Sequence, residues 1–243
     1  MHWPTPGDFR EVRRGLPVLA AVLFVGALAF PMWEIAVKAV QYPETILRLE
    51  LYAYPRIEGD YVEMARLNHY IGFYYPDPVF IEPNFPVNDA AIDVPEWSVG
   101  WLAFVGVAAT GAVVAVAPTV EKLRRGLRWQ LAGTVAVFGI MVADIQFRLW
   151  QAGHTLDPDA PVMGVDGFTP PLWGKYAVAN ITSISRFGLG AYLSMVAIAL
   201  LVVAFYYRNS EAEVRDLPGR VVGRVRSVIG RDRPGPDEAP SPE

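Results

Sequence analysis

The chain has 243 residues, 53% of them hydrophobic and 19% charged, with no cysteine, three histidines and a formal net charge of −4. Without cysteine there is no disulfide, zinc knuckle, thiolate-held iron–sulfur cluster or cysteine nucleophile, and the negative balance gives no general attraction to nucleic acid. A soluble domain carries about 25% charged residues; here the missing charge is absent from four apolar stretches, each near the ~20 residues that cross a bilayer as a helix.

In chain order, a short N-terminal segment (1–15) precedes a first predicted span over 16–38. Its apolar run, Leu16 to Trp33, is uncharged, and Glu34 and Lys38 follow at i,i+4 as a structural ion pair. A basic start, an apolar run and Ala27-x-Ala29 also describe a cleavable secretory signal, but the run is longer than a usual signal core and reads as an uncleaved anchor. Loop one (39–96) is too long for a simple connector. Within it Leu47 to Tyr52 alternates with period two, as a half-buried strand does. Asp60 and Glu63 give a capping-box-like start to a short helix from Tyr61 to about Tyr70, with Gly72 near its end. Pro76, Pro78, Pro83, Pro86 and Pro95 then space an extended return to the membrane.

Spans two (97–118) and three (129–150) are joined by a short basic link (119–128). Loop two (151–186) is rich in proline, glycine and aspartate, and its last part, Trp173 to Ser185, leads into span four (187–207). The tail (208–243) ends RDRPGPDEAPSPE, a composition that buries no core, and reads as disordered from about Asp232. Trp97, Trp101, Trp129, Trp150, Tyr206 and Tyr207 mark span ends, where a membrane interface selects amphipathic rings. Fourteen of the 21 basic residues flank the spans on one side; the opposite side, residues 34–96 and 144–186, holds the other seven against 15 of the 25 acidic residues. The positive-inside rule therefore predicts a multi-pass protein of the cytoplasmic membrane, both termini cytoplasmic and both loops outside with a formal charge of −8.

No internal repeat, P-loop, GxSxG, HExxH or dinucleotide fingerprint is present. His69 and His154 are the outer histidines, and Met32, Met64 and Met163 lie on the same side. Imidazole and thioether suit copper, above all Cu(I), when thiolate is absent; ordinary packing accounts equally for residues without a dense ligand motif. Met64 and His69 are five apart, on different faces of a regular helix. No span contains histidine, which argues against a haem inside the bundle, though one at the outer surface on His154 stays open. Asp144 and Arg148, at i,i+4 in the outer third of span three, predict an intrahelical ion pair with Arg148 reaching outward, or a bundle-facing Asp144 that positions loop two. Asp157, Asp159 and Asp166 make loop two acidic, but Pro158 and Pro161 break any EF-hand pattern, so a solvated surface is the simpler reading.

Several short motifs recur in a familiar order: Pro31-Met32-Trp33, Gln41-Tyr42-Pro43-Glu44, Gly59-Asp60, Leu67-Asn68-His69-Tyr70-Ile71-Gly72, Gly153-His154-x-Leu156-Asp157-Pro158-x-Ala160-Pro161, Pro170-Pro171-Leu172 and Asn180. Over about residues 30–185 the chain resembles a family of multi-span membrane proteins found in nitrous-oxide reductase gene clusters of bacteria and archaea. The resemblance implies a denitrification setting outside the cytoplasmic membrane, in copper-enzyme maturation or electron supply. The family often has methionine after His-Tyr-Ile-Gly, where this chain has Phe73, so a copper ligand there would be lost.

The expected fold is an all-α membrane protein of four transmembrane helices, its two long loops pairing into a small mixed α/β outer layer. The first functional expectation is an accessory protein of a nitrous-oxide reductase system that binds or hands on copper at His69 and His154, with Met64 or Met163 assisting and Asn68, Asp157, Asp144 and Arg148 in support. The alternatives are a non-catalytic scaffold subunit docking partners of a denitrification complex, or a part of a quinol-to-periplasm electron path. An enzyme is not indicated, since no nucleophile has a base beside it. Four spans without broken helices or an inverted repeat also give little basis for a transporter.

Overall fold

The computed structural model describes residues 4–74, 76–77, 92–162 and 164–216. Helix α1 (Val12–Ala27) opens the chain. The predicted span over 16–38 is not one helix: it turns through Leu28 to Phe30 and leaves as strand β1 (Trp33–Ala39). Pro31 supplies the reason, since it lacks an amide donor and disfavours the helical conformation of the residue before it. At 16 residues, α1 spans roughly 24 Å, short of the ~30 Å hydrocarbon core.

Among the described residues, three helices are long and apolar enough to cross a membrane rather than the four expected: α3 (Pro95–Ala115), α4 (Val120–His154) and α5 (Leu189–Tyr206). Helix α1 packs against α5 and α3, and α4 closes the bundle against α3 and α5. The core between them is apolar: Ala20, Phe24, Ala27, Phe104, Val107, Ala108, Ala197 and Leu201. Phe138 stacks on Phe24 at 5.2 Å and meets Phe104 edge-on at 5.0 Å. Outward-facing residues are also apolar, with Val22, Val113 and Ile140 more than 60% exposed, a surface suited to lipid rather than water. The basic link expected over 119–128 is not a loop but the first turns of the 35-residue α4, whose Thr119 hydroxyl accepts from the Lys122 amide at 3.3 Å.

At one end of the bundle stands a five-stranded antiparallel sheet of order β3-β2-β1-β7-β6. Strand β2 (Leu47–Leu51) follows the predicted alternation, and β3 is Ile57–Gly59. The stretch Trp173 to Ser185, expected only to lead into the last span, forms a hairpin of β6 (Gly174–Val178) and β7 (Ile181–Phe187), turning at Ala179 with φ 49°. The central pairing of the sheet is not the expected one of loop with loop, because β1 comes from the stretch predicted as the first span. Strand β1 leaves α1 and β7 enters α5, and the two pair over seven residues at the centre of the sheet. Helix α2 (Tyr61–Ile71) covers one sheet face, burying Met64, Leu67 and Ile71 against Val37, Ala39, Leu47, Leu49 and Ile181. Asp60 precedes α2 as expected, but its carboxylate accepts the Arg48 amide at 2.8 Å instead of capping the helix. Two short strands, β4 (Pro76–Asp77) and β5 (Ile92–Asp93), pair in parallel beside α3. The proline-spaced stretch between them, and the tail expected to be disordered, lie outside the described residues.

The opposite end is tied by arginines. Arg14, 8% exposed, donates to the carbonyls of Ala115 and Ala117 at 2.7 and 3.0 Å and so closes the C-terminus of α3. Arg13 pairs with Glu11 at 2.7 Å and Glu211 at 3.6 Å, beside a backbone bond from Val12 to Ala212.

Candidate functional site

The two histidine segments meet through their backbones. Helix α2 ends on Gly72 in the left-handed region (φ 74°), and its capping bonds include Phe73 N–H to the Asn68 carbonyl at 2.9 Å. The Gly72 carbonyl accepts the Asp157 amide at 2.9 Å, and the Tyr70 carbonyl accepts the Val162 amide at 3.0 Å. A Cβ on Gly72 would lie 2.8 Å from backbone atoms of Asp157, so the close approach needs glycine on two counts. Asp157 also shapes its own loop, accepting the Asp159 amide at 2.9 Å.

The proposed ligands do not converge with Met64. Met64 is buried under α2 against the sheet, whereas His69 is exposed on the far side of the same helix. His154 is exposed at the end of α4, its ring stacked 4.9 Å from Trp150 and its Nδ1 2.8 Å from the Trp150 carbonyl. Met163 lies outside the described residues. Among the described residues no group of three or more histidine, aspartate or glutamate side chains could hold a metal ion. With its nearest thioether turned into the core, the described part of the chain offers copper two surface imidazoles and no closed site. Phe73 does packing work, stacking on Phe168, which in turn meets Tyr176.

The predicted ion pair within α4 is replaced by one between helices. Arg148 pairs with Glu96 of α3 and donates to the Gln151 side chain at 3.0 Å. Asp144, half-buried, sits beside that pair. The expected Glu34–Lys38 pair also dissolves, because both lie on a strand: Glu34 accepts from Arg186 of β7 at 2.8 Å.

The prominent chemical surface is the sheet face away from α2. Alternation puts Glu34 and Lys38 of β1, Arg48 and Glu50 of β2, Glu58 of β3, Lys175 of β6 and Arg186 of β7 on it. Register sets Glu58, Glu50, Glu34 and Arg186 in one row across four strands. Like charges directly opposite disfavour pairing, so the cations beside the row matter: Arg186 on Glu34, and Arg56 on Glu58. Arg48, Glu34, Glu50 and Arg186 line a shallow depression between β1 and β2. These residues were missed in the sequence. The usable signal was the alternation of Glu34, Ala36 and Lys38 with Ile35, Val37 and Ala39 in 33–39, which the expected span over 16–38 had hidden.

Where the sheet meets the bundle, a polar knot fixes their relation. The Tyr52 hydroxyl donates to Glu58 at 2.8 Å, Arg56 lies 4.6 Å over the Tyr52 ring, and Trp97 of α3 donates to the Tyr52 carbonyl at 2.8 Å. Burial, then the Glu58 bond, pushes the Tyr52 hydroxyl up to about 12, while the bonds from Tyr52 and Arg56 hold Glu58 below the usual carboxylate range. The fold thus favours protonated Tyr52. Its contribution is present below the unfolded value of 10.0 and is lost as pH climbs to about 12. Glu58 acts in the opposite sense, losing its contribution as pH falls below 4.5. Tyr52→Phe is expected to flatten the alkaline loss of stability between those limits, followed by thermal midpoints against pH with tyrosinate absorbance as the titration readout; an unchanged alkaline profile would refute this coupling.

Comparison with known proteins returns no matching family model, no matching curated protein and no matching solved structure. The chain's own geometry therefore carries the functional argument.

Proposed function

We propose that the protein is a membrane-anchored accessory protein whose sheet docks an extracytoplasmic partner, and that its setting is the nitrous-oxide reductase system the sequence resembles. One observation carries the docking reading. The central strands β1 and β7 are direct continuations of α1 and α5, so the sheet is held rigidly to the bundle while its charged face stays open. A rigid element presents a recognition surface at low ordering cost, and complementary charge gives such a surface specificity and speed of association. The positive-inside rule supports placing the sheet outside, because Arg13, Arg14, Arg124, Arg125 and Arg128 gather at the opposite end.

Copper handling, which the resemblance implies, would here rest on His69 and His154. The docking reading separates from it in a deletion strain scored for nitrous-oxide reductase activity. The charge-reversed face variant Lys38→Glu/Arg48→Glu is expected to reach normal membrane levels yet fail to restore activity, while His69→Ala/His154→Ala restores it. Full rescue by the face variant would sink the docking reading. Failure of the histidine variant, with loss of copper from the purified protein, would favour the metal reading instead.

A further inference from the structure

Helix α4 is the least covered of the long helices, and its first four turns are sharply two-sided. Leu123, Leu127, Gln130 and Thr134 are buried against the bundle. On the opposite side Arg125, Arg128 and Trp129 are exposed, the indole 71% so. Spacings of three and four residues place these three side chains in one surface patch. From Trp129 to Ala143 the helix carries no charge, so the patch sits at the edge of the apolar band.

Several other cations of this end are engaged. Arg124 donates to the Arg208 carbonyl at 3.3 Å, Arg208 donates to Phe205, Arg14 caps α3, and Arg13 takes Glu11 and Glu211. The acid facing the patch is Glu121, bonded to Arg125 at 3.0 Å with both side chains at least 70% exposed, a pair of little strength. Among the described residues no ion pair occupies Arg128. Two guanidinium groups beside an interfacial indole, on a helix face without a protein neighbour, match a lipid phosphate in charge and in depth.

We propose that Arg125, Arg128 and Trp129 form a binding site for the phosphate of an anionic phospholipid. The proposal rests on the membrane reading but not on the docking reading. The committed occupant is the lipid headgroup; free phosphate and a second copy of the chain are the competing occupants.

The test uses the full chain purified in detergent and titrated with phosphatidylglycerol or phosphatidylcholine, with bound lipid and oligomeric state counted by native mass spectrometry. The unaltered protein is expected to prefer phosphatidylglycerol. At about fivefold per arginine, Arg125→Gln/Arg128→Gln should bind it on the order of thirtyfold more weakly with phosphatidylcholine unchanged. Arg125→Lys/Arg128→Lys should keep most of the preference, and Arg124→Gln all of it. Equal binding of the two lipids, or full retention by the glutamine variant, would overturn the proposal. Displacement by inorganic phosphate at matched concentration would reassign the site to a free anion. Loss of an oligomer in the glutamine variant, with lipid binding intact, would reassign it to a second copy. Release of the protein from membranes by alkaline carbonate would instead overturn the membrane reading itself.

Discussion

Gly153→Ala is expected to detach the segment after α4 from the bundle and to destabilise the protein by roughly 3 kcal/mol. A Cβ at Gly153 would sit 1.7 Å from the Phe168 carbonyl oxygen and 2.8 Å from its carbon, so backbone rather than a flexible side chain would have to move. The same residue accepts the Phe168 amide at 2.9 Å. Phe168 then stacks between Phe73 and Tyr176, linking the end of α2 to the β6–β7 hairpin. One added methyl group therefore strains three connected elements. Thermal unfolding of the detergent-purified protein checks the magnitude, and hydrogen exchange locates it: lost protection should be concentrated in 155–187. Wild-type stability in this variant would show that the Gly153–Phe168 approach is not a support of the outer layer.

Arg14→Ala is expected to cost about 2–5 kcal/mol, because it leaves two carbonyls at the end of α3 without their donor in a buried place. The Ala115 and Ala117 oxygens lie 2.7 and 3.0 Å from one guanidinium nitrogen. Neighbouring Val12, Leu16, Leu123 and Leu127 are nearly inaccessible, so water has poor access to replace it. Arg14→Lys should recover part of the loss, since an ammonium keeps the charge but not the planar fork. Midpoints of the three proteins in one detergent give the ordering. Equal midpoints for the alanine and wild-type chains would mean that the cap is solvated rather than buried.

The elements read most accurately from sequence were those whose pattern is local. The α2 helix and its Gly72 end are written in three- and four-residue spacing and one glycine, and β2 in strict alternation. The apolar helices α3 and α5 follow from uninterrupted runs. The error lay at 33–39, where a Trp-Glu-Ile-Ala-Val-Lys-Ala stretch beside an apolar run was read as more helix. Its β-branched alternation is real, but a strand needs partners, and β1's partners lie at 47–51 and 181–187. The Glu34–Lys38 and Asp144–Arg148 pairs failed for the same reason. Sequence spacing names the nearest neighbour within a helix, whereas the charges found partners on Arg186 and Glu96.

By itself the sequence determined where the apolar runs of α3, α4 and α5 lie, which end of the chain's spans is basic, and that soft-metal chemistry has only histidine and methionine to draw on. Only the tertiary structure decided that the chain leaves α1 as a central strand, that Met64 belongs to the core while His69 and His154 stay at the surface, and that seven charged side chains share one open face. The division has a physical cause. Burial of an apolar run depends on composition over a few turns, which a linear reading captures. Strand register and ion pairing depend on residues as many as 152 positions apart, as Glu34 and Arg186 are, and only folding brings these together.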